Sequence, residues 1–146
     1  MSDWDNRFFE LAELVGSWSK DPSTKVGAVI VRPDRTIASV GYNGFPRGVD
    51  DSPEIYADRP KKYLRVVHAE ANAILSAGEP LHGYTLYVTP LHPCATCSGL
   101  IIQSGISVVN YAMSEQNTRN AAWTDHFNVM TEMFLEAGIR YYGRYR

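Results

Sequence analysis

The chain has 146 residues and a formal net charge of −2, and 45% of its side chains are hydrophobic, so one domain spanning 1–146 with a single layered core is expected. That charge balance argues against a broad basic face gripping a long phosphodiester backbone, so nucleic acid is not an expected partner. No apolar run approaches the roughly 18 residues of a membrane span, and the charged first ten residues do not resemble a secretory leader.

Trp4, Phe8, Leu11, Val15 and Trp18 recur at alternating intervals of four and three, which predicts one apolar face of a helix capped by Ser2 or Asp3. Residues 26–31 form an apolar run rich in branched side chains. Pro33-Asp34 then predicts a turn, and 36–42 a second strand, completing a hairpin. Residues 44–65 lack periodicity and carry Pro46, Pro53 and Pro60, as expected of a functional loop or lid, with a merely variable surface loop as the alternative. Beyond it the pattern predicts helices over 68–77, 94–103 and 124–137, the last two closed by Gly105 and Gly138, and strands over 84–89, 107–111 and 139–142. Phe127, Met130, Phe134 and Ala137 form the expected inward stripe of the final helix. The order α-β-β-α-β-α-β-α-β implies an α/β fold of three layers, a mixed five-stranded sheet covered on both faces.

The densest chemistry lies in His68-Ala69-Glu70 and Pro93-Cys94-Ala95-Thr96-Cys97. Two thiolates and an imidazole suit zinc, and three protein ligands leave the fourth tetrahedral position open for catalysis. If Cys94 opens a helix, the i, i+3 spacing puts both sulfurs on one side of its first turn, where free amides favour the thiolate. His68 and Glu70 are two residues apart and diverge by about 200° on a regular helix, so they converge only if His68 stands at its non-helical start. A metal pinned between two helix N-termini, with Glu70 beside it and outside the ligand set, is the expected arrangement. The competing arrangements are a closed structural site completed by His92 and a pair of plain buried thiols. His82 and His126 show no partner spacing and read as surface or helix-face residues. With both cysteines at the metal, no disulfide remains, which suits a reducing cytoplasm.

The pattern H-x-E followed by P-C-x-x-C is the known signature of zinc-dependent base deaminases, in which the glutamate shuttles protons. Together with residues 21–28 (DPSTKVGA), 41–48 (GYNGFPRG) and 68–74 (HAEANAI), it makes the chain resemble the deoxycytidylate (dCMP) deaminases of the cytidine deaminase superfamily. The approach to the cysteines, Thr89-Pro90-Leu91-His92-Pro93, departs from the usual pattern. The resemblance implies a cytidine-deaminase-like fold, bound Zn2+ held by His68, Cys94 and Cys97, and Glu70 as proton carrier in converting dCMP to dUMP. It further implies substrate contacts from Asn43, Ser23, Lys25, Ala69 and Arg47, with Arg119 as a reserve cation for the phosphate. Trp123 is expected to pack in the core rather than wall the pocket. A homo-oligomer, often a hexamer, activated by dCTP and inhibited by dTTP, is the regulation it implies, with residues 44–48 as the place to look for an effector.

Overall fold

The computed structural model describes residues 2–114 and 121–146; Arg119 lies outside them. Helix α1 (Asp3–Gly16) starts at Ser2, whose hydroxyl accepts from the Asp5 N–H while the Asp5 carboxylate accepts from the Ser2 N–H, both at 3.1 Å. This reciprocal cap satisfies amides that a helix start leaves without partners. The buried face of α1 is Phe8, Phe9, Ala12, Val15 and Gly16, so the expected stripe holds at Phe8 and Val15, with Leu11 half-buried against the same cluster, and fails at its two ends. Trp4 and Trp18 are exposed, and small residues take their place because the helix backbone packs against β1. The Trp4 ring stacks on Phe8 and carries the Arg7 guanidinium, so it covers the rim of the contact.

The hairpin forms as expected from β1 (Gly27–Val31) and β2 (Ile37–Tyr42), antiparallel, with a register shift between Ile30 and Val31. Every residue of β1 is buried, which explains its unbroken apolar run: it is an interior strand covered on both faces. The sheet runs β2-β1-β3-β4-β5, where β3 is Thr85–Thr89, β4 Val108–Met113 and β5 Arg140–Tyr145. β1 pairs antiparallel with β3, whereas β3, β4 and β5 run parallel.

Residues 44–65 are not an unstructured lid. They hold two short helices, α2 (Pro53–Ala57) and α3 (Arg59–Arg65). Pro53 and Pro60 occupy first-turn positions, where a missing N–H costs nothing, while Pro46 stays in the irregular stretch, and Asp58 caps α3 by accepting from the Lys61 N–H. Gly44 and Val67 exchange two backbone hydrogen bonds, which close the segment at its base.

Helices α4 (Ala69–Ser76), α5 (Ala95–Ser104) and α6 (Ala121–Ala137) complete the chain. Ala28 and Ile30 of β1 join Leu86, Val88, Ile101, Val109, Met130 and Phe134 in the larger core against α4, α5 and α6. Val29 and Val31 point the other way, to Phe8, Phe9 and Ala12 of α1. This two-residue alternation produces the three-layer α/β/α arrangement. In α6, Met130 and Phe134 are fully buried and Phe127 is half-buried, but Ala137 is exposed because the helix ends at Gly138 (φ 76°).

Candidate metal centre and active site

The convergence of the motif residues follows from where their helices begin. His68 is the N-cap of α4, with extended backbone (φ −71°, ψ 157°), so its side chain leaves the helix start while Glu70 sits in the first turn. Cys94 is the N-cap of α5 (φ −74°, ψ 171°), and its Sγ accepts from the Cys97 N–H at 3.4 Å. Both sulfurs lie 3.4 Å from His68 Nδ1, and the three donor atoms lie within 4.8 Å of one another.

These donors fit zinc. Bonds of about 2.3 Å to sulfur and about 2.05 Å to nitrogen, opened to a tetrahedral angle, give an N···S edge of roughly 3.6 Å, close to the separations found. His92 does not join them: its Nδ1 donates to the Pro93 carbonyl at 2.7 Å, and its ring is boxed by Tyr111, Trp123 and Phe127. Among the described residues the cluster is therefore three-membered, as catalysis requires, rather than closed by a fourth side chain.

The electrostatics of the trio follow from proximity. Hydrogen bonds from Cys97 and His68 outweigh burial and bring the Cys94 thiol down to about 4. The Cys94 sulfur, burial and the Glu70 charge push the Cys97 thiol far up. Contact with the Cys94 sulfur also raises His68. Glu70 is 4% exposed, and burial pushes its carboxyl up to about 7 despite the neighbouring imidazole. A carboxyl held near neutrality can both accept and return a proton, the property required of a shuttle.

His68, Cys94 and Glu70 border a cavity of about 320 Å³, at the small end of the range for small-molecule sites. Asp21, Ser23, Thr24, Asn43, Lys62 and Ala69 also line it. Asn43 is 7% exposed and spans two segments: its Oδ1 accepts from the Val26 N–H at 2.8 Å and its Nδ2 donates to the Thr24 carbonyl at 2.9 Å. It therefore positions the 24–26 wall as well as lining the cavity. Asn72 does similar work for α4, donating to the Tyr42 carbonyl at 2.8 Å.

Two expected cations lie elsewhere. Lys25 is exposed and donates to the Ser19 carbonyl, and Arg47 is exposed; neither lines the cavity. Trp123 was expected in the core. It instead lines the cavity with His92, because the N-terminal turns of α6 reach over the mouth. His126 is half-buried, and its Nδ1 accepts from the Ala95 N–H at 2.9 Å, bracing the turn beside Cys94. His82 is exposed, as expected. Sequence spacing missed Lys62, which is 7% exposed and ion-paired with Asp21 at 2.8 Å. No short-range pattern marks a pair 41 residues apart.

A three-donor soft metal site with a buried carboxyl beside it, at the starts of two helices flanking a mixed sheet, defines the zinc-dependent base-deaminase class. The comparisons make this specific. The family described as cytidine and deoxycytidylate deaminase zinc-binding region matches residues 2–113, and the chain belongs to that family. An uncharacterized deaminase from the luxG 3′ region of Aliivibrio fischeri is 49% identical over 139 residues, covering 95% of this chain and 92% of that protein. A probable deoxycytidylate deaminase of Caenorhabditis elegans is 47% identical over 109 residues, covering 72% of this chain, which spans only 55% of that longer protein. The crystal structure of the dCMP deaminase from cyanophage S-TIM5 in complex with dCMP and dUMP superposes with a TM-score of 0.71, at 25% identity over 98% of both chains.

Proposed function

We propose that this chain, as one deaminase domain, hydrolyses dCMP to dUMP and ammonia. The observation that carries the reading is Glu70, buried beside a three-donor zinc site on the wall of a nucleotide-sized cavity. The phage relative that binds dCMP and dUMP, and the relatives described as deoxycytidylate deaminases, support the choice of substrate.

His68, Cys94 and Cys97 hold the zinc, which when bound supplies Lewis acidity that lowers the pKa of a water molecule toward about 7. Glu70 takes a proton from the attacking water and passes it to N3 of the cytosine, making C4 electrophilic. It then takes the second proton from the new C4 hydroxyl and delivers it to the amine on C4, so that the C4–N bond breaks, ammonia leaves and the C4 carbonyl of uracil forms. Burial of Glu70 keeps bulk water from competing for that proton. Asn43 and Ala69 border the space for base and sugar, and Ser23 lines the wall assigned to the phosphate end.

The same reading includes a homo-oligomer, as a hexamer, activated by dCTP and inhibited by dTTP. A cytoplasmic setting fits the two free buried cysteines, and no described helix is long and apolar enough to cross a membrane. The test is ammonia release by the zinc-loaded protein from dCMP, dCTP, deoxycytidine, cytidine and adenosine. The expected outcome is the highest kcat/KM for dCMP; preference for any other member refutes the substrate assignment. Repeating the dCMP assay with dCTP and dTTP tests the regulation, and a flat response to both refutes it.

A further inference from the structure

Two side chains of opposite charge, Lys62 from α3 and Asp21 from the segment before β1, meet on the cavity wall. Their side chains are 9% and 4% exposed. A buried ion pair contributes little net stability, because the cost of desolvating both charges cancels most of their attraction. Its presence on a binding surface therefore calls for another reason.

The donor inventory supplies one. An ammonium has three N–H donors. Among the described residues, Asp21 is the hydrogen-bond acceptor that Lys62 has, at 2.8 Å, so two donors remain for a ligand. The same Asp21 Oδ1 accepts from the Ser23 N–H at 2.8 Å and the Thr24 N–H at 3.3 Å. Asp21 thus fixes the ammonium and the Ser23-Thr24 turn together. Lys62 is the one lysine or arginine among the described lining residues.

We propose that Lys62 contacts the 5′-phosphate of the substrate and makes the site select nucleotide over nucleoside, with Asp21 as the positioning residue that orients it. This rests on the reading of the substrate as dCMP. The pairing also limits the charge the wall accepts: one cation already shared with a carboxylate suits a single phosphate better than a chain of three.

The experiment compares kcat/KM for dCMP and for deoxycytidine, at enzyme concentrations high enough to follow slow turnover, in wild type, Lys62→Met and the double variant Asp21→Asn/Lys62→Met. The double variant removes both charges, so it folds even if Asp21 without its partner does not. Loss of one or two charge-assisted hydrogen bonds lowers the ratio of the two kcat/KM values by about ten- to a hundredfold. An unchanged ratio, with both substrates slowed equally and zinc content normal, overturns the proposal and leaves Lys62 a structural residue. Wild-type preference among substrates tests the function alone; the change of ratio on substitution tests Lys62.

Discussion

Gly41 links the sheet to the metal site, and Gly41→Ala perturbs that link with one methyl group. The glycine sits in β2 where α4 crosses closest. A Cβ there would stand 2.5 Å from the carbonyl oxygen of Ala69 and 3.0 Å from Ala73 Cα, with the Ala73 nitrogen closer still. These are backbone atoms of the helix, so no rotamer change relieves the clash. Ordinary contact begins near 3.4 Å and the Ala73 nitrogen would stand at 2.4 Å, which means that strand and helix must separate by about 1.0 Å. Overpacking of this kind costs about 2–3 kcal/mol. At about 2.1 cal/mol/K per residue, unfolding of 146 residues gives a Tm loss of roughly 7–10 °C. The displaced residues adjoin His68 and Glu70, and a misplacement of about 1 Å in a catalytic group costs on the order of a hundredfold in rate. Calorimetry and steady-state deamination kinetics on the purified variant measure both effects. A variant with wild-type Tm and wild-type kcat shows that the contact between β2 and α4 is soft and refutes the argument that the glycine sets the site.

Glu70→Gln keeps the shape of the side chain and removes its proton chemistry, so kcat for dCMP falls by about 10²–10⁴-fold while metal analysis still finds zinc; retention of a tenth of the activity would dismiss the shuttle. Zinc affinity falls as pH falls, because the protonated form is the metal-free one: Cys97, pushed far up by the Cys94 sulfur and burial, must release its proton to bind. The association constant accordingly rises about tenfold or more per pH unit between roughly pH 6 and 8 in chelator competition, and a flat profile contradicts that protonation state. Phe134→Ala empties a fully buried site in the larger core and costs about 3–5 kcal/mol, read from urea unfolding; a loss below about 1 kcal/mol means the core collapses onto the gap.

The fold was legible wherever a local rule applies and obscure wherever packing overrides it. The branched apolar run of residues 26–31, the Pro33-Asp34 turn and the glycines at 105 and 138 each act over a few residues, and the corresponding elements form where expected. The first helix bears the rule out at Phe8 and Val15 and departs from it at its tryptophans. Hydrophobicity ranks Trp4 and Trp18 above Ala12 and Gly16, but close approach of the α1 and β1 backbones selects small side chains at the contact. Periodicity counts apolar residues and carries no information about the distance between backbones. The short helices α2 and α3 were missed for a related reason, since proline both breaks helices and starts them.

The site divides along the same line. His68, Glu70, Cys94 and Cys97 fall within two short segments, and the stereochemistry of a helix start converts each spacing into a direction. What remains is to bring two helix starts together: α5 follows β3 directly, whereas α4 follows α3 and packs on β2 and β1. Lys62 and Asp21 have no such local logic. Their pairing requires α3 to fold back over the segment ahead of β1, and that depends on the Gly44–Val67 backbone pairing at the base of the segment and the stacked rings of Phe45 and Tyr56. Lys25 and Arg47, close in sequence to residues that matter, are exposed because both lie in irregular segments where no periodicity ties a side chain's direction to that of its neighbours. The chemistry performed on the base is thus encoded in contiguous residues, whereas the cation proposed to tell a nucleotide from a nucleoside is placed by tertiary geometry. A relative could therefore keep both zinc motifs unchanged and alter its substrate by moving α3 alone.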